Sequence, residues 1–386
     1  RCAIERKGGQ TGYRRGSCIH PIIRPPLVSL LVMVKKGFGK ERTMMDRTRG
    51  YFHREKETMS KKKREAYLKG KLSEILRYGY RHSKAIRSRL DGAEIKPERI
   101  KNLKDLEKLP ITKKTDLVTA QKQTPPYGGF GIVPEKGVRR IYFSPGPVFE
   151  PEAWDDEDIR WVQALFACGI RKGDVVLNTF NYHLTPLAFM LDESLKRLRA
   201  TVIPVGPGNL SMQIQLMRQL GVTGFMGTPS LLMSLVEAAE RMSVDPQKDL
   251  SLKVAFVGAE MFPESLRQKL EGKLGILIRQ VYGTVDVGCL GYECPEKTGM
   301  HVPEDVMLEI ADTATGKQLE IGATGEIVAT TFSKVFPMIR FATGDLSYLI
   351  ENPCPCGRTS PRLGNILGRT DQVTKVRGIF IHPWQV

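Results

Sequence analysis

Beyond residue 138, short apolar runs alternate with longer amphipathic stretches, and this alternation leaves few folds open. Residues 140–143, 175–178, 201–205 and 254–257 are runs of strand length rich in β-branched, aromatic and other apolar residues. Residues 156–168, 209–220, 229–242 and 263–274 carry apolar residues at helical spacing. Strands joined through helices run parallel, so the expected class is α/β, with parallel sheets flanked by helices. After Gly299 the pattern changes to short strands between turns, at 307–310, 325–330 and 346–350. These suit a small antiparallel β unit attached to the α/β part.

Upstream, residues 60–90 are dominated by good helix formers, with Tyr67, Leu68, Leu72, Ile75 and Leu76 at helical spacing. Residues 103–114 offer a short helix, a Pro110 stop and a Thr112 cap for the next helix, which includes Lys113 and Lys114. Residues 1–58 show no sustained periodicity and are expected to be a poorly ordered basic extension or a misassigned start upstream of Met44, Met45 or Met59.

The net charge of +17 belongs to this end: residues 1–110 hold 30 Lys and Arg against 12 Asp and Glu. No nucleic-acid motif accompanies the charge, so no nucleic-acid partner is expected. The apolar run at 27–34 is far short of the roughly 20 residues needed to span a bilayer, and no signal cleavage site follows it. A cytoplasmic protein without a membrane partner is expected. Seven scattered cysteines argue against a disulfide framework.

Four strings stand in a fixed order: Gly258-Ala259-Glu260, Tyr282-Gly283-Thr284-Val285-Asp286, Arg340-Phe341-Ala342-Thr343-Gly344-Asp345 and Gly368-Arg369-Thr370-Asp371. In order and spacing they resemble the adenylate-forming superfamily, and most closely its phenylacetate-CoA ligases, over residues 60–386. The resemblance implies the large N-terminal domain of that fold over residues 59–371. Residues 372–386 would be a stub, with the family's small C-terminal domain absent and the ligase therefore incomplete. It implies AMP-forming ligation of CoA to a phenylacetate-like carboxylic acid through an acyl-adenylate, with ATP, Mg2+ and CoA as cofactors; a homodimer is compatible with it. Two alternatives stay open: an adenylylating synthetase for another acid, of the deazaflavin-coenzyme kind, and a non-catalytic nucleotide- and zinc-binding scaffold.

The resemblance also assigns residues. Gly258, Ala259, Glu260, Tyr282 and Gly283 would bind the nucleotide, with Ala259 and Glu260 bordering the adenine and Tyr282 packing against it; Asp345 would take the ribose hydroxyls, and Arg369 would balance charge near ribose and phosphate. Asp371 matches the hinge of the small domain, and Tyr142, Phe180 and Tyr182 would line the acid's slot. Ser144 and Gly146 stand in the phosphate loop, but that loop departs from the family pattern. Pro145 and Pro147 remove amide donors, and Glu150 brings a charge of the wrong sign for phosphate. After Tyr282-Gly283, Val285-Asp286 replaces a hydroxyl followed by glutamate, so Asp286 is the expected Mg2+ carboxylate and Thr284 the substitute hydroxyl.

A metal site is independent of the nucleotide. Cys294 and His301, with six residues between them, followed by Cys354-Pro355-Cys356, supply three thiolates and one imidazole, the donor set of a structural Zn2+. Some ligases of the resembled group carry the same arrangement as a zinc site.

Overall fold

The computed structural model describes residues 46–132, 137–154 and 158–371, with the backbone at 374–376 and 379–381. The extension before residue 46, the start of the helix expected at 156 and most of the 372–386 stub lie outside the described residues. Residues 46–58, expected to belong to the poorly ordered extension, are instead anchored. Arg47 pairs with Asp174 at 2.7 Å, and buried Glu57 accepts from Arg358 Nε at 2.8 Å.

The helix expected over 60–90 divides into α1 (Lys61–His82) and α2 (Lys84–Gly92). Ser83 makes the break, because its hydroxyl oxygen accepts from the Ile86 amide at 3.2 Å as the α2 N-cap and donates to the Gly129 carbonyl at 2.8 Å. Gly79 lets α2 fold back on α1, since a Cβ there would come within 2.8 Å of Ile86 Cδ1. Leu72, Ile75, Leu76, Ile86 and Leu90 then share one core.

Next comes α3 (Lys114–Gln123), followed by β1 (Val138–Ser144) and β2 (Val148–Ala153). The strand expected at 140–143 does not enter the parallel sheet; β1 and β2 form an antiparallel hairpin, with Ser144 opposite Val148. The alternating region follows as α4 (Arg160–Cys168), β3 (Val175–Asn178), α5 (Leu187–Leu198), β4 (Thr201–Pro204), α6 (Leu210–Leu220), β5 (Gly224–Gly227), α7 (Pro229–Arg241), β6 (Val254–Val257), α8 (Glu264–Leu274) and β7 (Leu277–Thr284). β3, β5 and β6 are buried at every residue, which is why the runs at 175–178 and 254–257 show no alternation; β5, Gly224-Phe225-Met226-Gly227, is not among the strands expected from the sequence. Helices α4 and α5 cover one face through Trp161, Leu165, Leu191 and Leu195, and α6, α7 and α8 cover the other through Ile214, Leu232 and Leu270.

The remaining strands are β8 (Gly288–Glu293), β9 (Met300–His301), β10 (Val306–Ala311), β11 (Gly325–Thr331), β12 (Phe341–Ser347), β13 (Leu349–Ile350), β14 (Arg362–Leu363) and β15 (Gly368–Arg369), followed by an antiparallel pair, β16 (Thr374–Val376) and β17 (Ile379–Ile381). β7 is the seam of a nine-stranded sheet ordered β13-β14-β9-β8-β7-β6-β5-β3-β4, parallel to β6 on one edge and antiparallel to β8 on the other. A separate four-stranded antiparallel sheet runs β10-β11-β12-β15. The strand expected at 346–350 is therefore two: β12 ends in the small sheet, and after Tyr348 the chain enters the large one as β13. The candidate site forms where these two sheets and the hairpin meet.

Candidate active site

Tyr282 lies near the end of β7, and Asp345 in β12 stands opposite Arg369 of β15. The Tyr282 hydroxyl donates to Asp345 Oδ2 at 2.8 Å, and Arg369 Nη1 donates to Oδ1 at 3.3 Å. Arg369 Nε also donates to Asp371 at 3.1 Å, which ties the expected hinge residue to this cluster. Gly344, at φ +80°, lets the guanidinium lie against the backbone, since a Cβ there would fall 2.7 Å from Arg369 Nη2. Burial raises the Asp345 carboxyl above its ordinary range, opposed by Tyr282 and Arg369. Burial likewise holds the Tyr282 phenol protonated, with the neighbouring Asp345 charge adding to the effect. Each Asp345 oxygen uses one acceptor direction in these contacts and retains another.

Gly258-Ala259-Glu260 leave the end of β6 beside this cluster. Gly258 packs on β7, where a Cβ would meet Val281 Cγ1 at 2.8 Å. Ala259 adopts a left-handed backbone with φ +65° and is exposed. Glu260 braces the turn locally, accepting from the Ser230 amide at 3.2 Å and from its hydroxyl at 2.8 Å, and so fastens it to the first turn of α7.

The β1–β2 hairpin closes the other side. Its turn holds Gly146 at φ +107°, and the expected phosphate residue Ser144 is buried at the end of β1. Lys114, the first residue of α3, reaches this turn: its Nζ lies 3.0 Å from Asp286 Oδ1 and 3.4 Å from Ser144 Oγ. Sequence reading missed this lysine because Thr112-Lys113-Lys114 scans as a helix start; the only signal was the absence of a cation from the hairpin tip, residues 143–151. Glu150 does not simply oppose phosphate, as expected from sequence. It is buried, and burial together with the nearby Asp286 charge pushes its carboxyl up to about 7, so the proton is held near neutrality. Burial raises Asp286 as well, opposed by Lys114. Among the described residues, two buried oxygens here, Glu150 Oε1 and Thr284 Oγ1, have no hydrogen-bond partner, and Asp286 Oδ1 has only its ion pair with Lys114. Hard, buried, under-coordinated oxygens fit a Mg2+ ion.

A cleft of about 570 Å³ opens beside Asp286, bordered by Tyr142, Glu150, Arg160, Val285 and Phe336. Of the three residues expected to line the acid's slot, Tyr142 is at this cleft, its hydroxyl donating to Glu152 and its ring 5.8 Å from that of Phe189. Tyr182 packs on the other side of Phe189 at 5.3 Å, with its hydroxyl donating to Asp192 at 2.8 Å and accepting from Asn178 at 2.8 Å. Phe180 is buried in the core against α4 and α5. Neither Tyr182 nor Phe180 borders the cleft, because aromatics at a strand end turn into whichever core lies beneath them.

The metal candidates do converge. Cys294 follows β8, His301 lies in β9, and Cys354 and Cys356 sit in the loop between β13 and β14; their ligand atoms all lie within 4.8 Å of one another. Cys294 Sγ and Cys354 Sγ are 3.6 Å apart, and Cys356 Sγ is 3.4 Å from His301 Nε2. A tetrahedral zinc with bonds near 2.3 Å to sulfur and 2.05 Å to nitrogen sets these edges at about 3.8 and 3.5 Å, so the donors fit Zn2+. His301 Nδ1 is held by Ser360 at 3.3 Å, which leaves Nε2 facing the sulfurs.

Tyr282 of the large sheet and Asp345 and Arg369 of the small one thus form a cluster where the two sheets meet. Residues 163–333 match the family model for AMP-binding enzymes. The phenylacetate-coenzyme A ligase of Thermus thermophilus is 33% identical over 86% of this chain and 76% of its own length. That of Pseudomonas putida is 34% identical over 81% and 72%. A solved 2-hydroxyisobutyryl-CoA ligase, in complex with 2-HIB-AMP and CoA, superimposes with a TM-score of 0.79 at 26% identity, covering 89% of this chain and 83% of its own. The chain belongs to the phenylacetate-CoA ligase family.

Proposed function

We propose that this chain activates an aromatic, phenylacetate-like carboxylic acid with ATP as its acyl-adenylate and passes the acyl group to CoA. The observation that carries the reading is the Tyr282–Asp345–Arg369 cluster at the end of the strand whose next residues, Thr284 to Asp286, face the hairpin and the cleft. Family membership supports the reaction, and a 26%-identical neighbour in complex with an acyl-adenylate and CoA supports its two stages.

In this reading Asp345 accepts the ribose hydroxyls on its two remaining acceptor directions, and Tyr282 orients the carboxylate while flanking the adenine with Ala259. Arg369 offsets charge on the ribose and α-phosphate side. Ser144 and the Gly146 turn meet the outer phosphates, and the acid enters through the Tyr142 cleft so that its carboxylate approaches the α-phosphorus near Asp286. Asp286, with Thr284 beside it, would hold Mg2+, which neutralises phosphate charge when bound. Cys294, His301, Cys354 and Cys356 would hold a structural Zn2+ that clasps the edge of the large sheet. Asp371, paired with Arg369, is the hinge at the end of the large domain.

Acid-dependent exchange of labelled pyrophosphate into ATP tests the first stage, and thioester detection with CoA tests the second. Exchange with phenylacetate exceeding that with acetate is the expected result. The prolines at 145 and 147 favour one second reading, a nucleotide-binding scaffold without turnover. AMP binding with no exchange for any acid would establish that reading and sink the first.

A further inference from the structure

The tip of the hairpin that faces the outer phosphates carries no cation of its own: residues 143–151 contain no Lys or Arg, and Arg139 and Arg140, further back on β1, are paired with Glu152 and Glu193. A triphosphate held there needs positive charge from another element. The cation that contacts both the turn and Asp286 comes from α3. Lys114 Nζ is 3.0 Å from Asp286 Oδ1 and 3.4 Å from Ser144 Oγ. Its stem crosses the tip of the hairpin, where a Cβ on Gly146 would fall 2.7 Å from Lys114 Cε and 3.6 Å from Nζ. Glycine at 146 therefore keeps the lysine's path open as well as permitting the turn.

An ammonium has three donors. Asp286 and Ser144 occupy two of them, and the side chain is 28% exposed, while the carboxylate it meets is 5% exposed. The lysine thus stands with its inner side on a buried acid and a donor left over for the open side of the hairpin.

Resting on the proposed activation reaction, we infer that Lys114 is the cation that contacts the outer phosphates at this site, supplied from α3 in place of a loop-borne charge. In adenylation an oxygen of the acid's carboxylate bonds to the α-phosphorus while the α-phosphorus to bridging-oxygen bond breaks. The bonding pair leaves with pyrophosphate. Lys114 offsets the negative charge that collects on this leaving group, and no proton transfer is required of it. A lysine that only neutralised Asp286 would act on the fold and on every ligand alike, whereas a contact to the β- and γ-phosphates acts on ATP and spares AMP.

The test is calorimetric binding of ATP and of AMP, with Mg2+ present, to the wild-type chain and to K114M, K114Q and K114R. K114M and K114Q should each lose about tenfold or more in ATP affinity while AMP affinity stays within about twofold, and K114R should recover most of the loss. K114Q retains a donor toward Ser144 and Asp286, so a folding defect confined to K114M does not decide the result. Equal losses for ATP and AMP, or ATP affinity unchanged in both neutral variants, overturn the inference. Failure of the wild type to bind ATP overturns both this inference and the activation reading. Wild-type pyrophosphate exchange with no ATP-specific loss in the variants overturns this inference alone.

Discussion

Replacing Asp345 by alanine should abolish tight nucleoside binding without unfolding the chain. Asp345 accepts one hydrogen bond from Tyr282 at 2.8 Å and one from Arg369 at 3.3 Å, so one acceptor direction on each oxygen remains for a ribose hydroxyl. A hydrogen bond to a charged group contributes about 1.5–3 kcal/mol, so losing two costs about 3 kcal/mol or more, a factor of roughly 150 in AMP affinity. Tyr282→Phe removes only an orienting donor, and Asp345 keeps Arg369; that change should cost about 1 kcal/mol, near fivefold. Isothermal titration with AMP and with adenosine reads both values, with thermal midpoints as the check on folding. Because the lost bonds are to ribose, D345A should weaken adenosine and AMP by the same factor. A folded D345A that binds AMP within about fivefold of wild type refutes the assignment of Asp345 to the ribose.

Elemental analysis of protein purified without chelator should find close to one zinc per chain, and Cys294→Ala or His301→Ala should lower both zinc content and thermal midpoint; metal-free wild type with an unchanged midpoint refutes the clasp. Arg340 lies in the motif ending at Asp345, yet it is 2% exposed and bonds Glu309 (Nε at 2.7 Å), the Leu109 carbonyl at 2.7 Å and the Gly316 carbonyl at 2.6 Å. Arg340→Met leaves Glu309 buried and unpaired and should cost about 3–5 kcal/mol by denaturant unfolding, where a loss below about 1 kcal/mol would contradict a structural role. Burial pushes Glu304 up to about 7 from 4.5, with Glu57 adding to the rise and Arg64 opposing it. The folded state therefore keeps a proton that the unfolded chain releases, so this group's contribution to stability is present below pH 4.5 and is lost as pH rises to about 7. Wild-type stability should fall relative to Glu304→Gln by about 2–3 kcal/mol between those limits, and parallel denaturation curves for the two proteins would refute it.

The α/β class was legible because burial on both faces writes itself directly into composition: the runs at 175–178 and 254–257 are β3 and β6, buried throughout. The convergence of Cys294, His301, Cys354 and Cys356 was legible from donor type, since three thiols and an imidazole form a recognisable ligand set, and their ligand atoms do meet within 4.8 Å. The AMP-side cluster needed motif strings, because nothing in periodicity joins Tyr282 to Asp345, 63 residues later.

What sequence by itself determined is therefore the alternation of elements, the core-facing residues and the identity of the chemical groups. Each of these depends on local period, local composition or a short ordered string. What only the tertiary structure decided is which groups meet. Strand 346–350 divides between two sheets, the 140–143 strand folds into a hairpin, Phe180 turns to the core, and Lys114 crosses 172 residues of sequence to reach Asp286. Period reports how often a side chain faces inward, but the partner it finds there depends on the packing of distant elements. A cation missing from the hairpin tip was visible in the sequence; that α3 brings Lys114 to it was not.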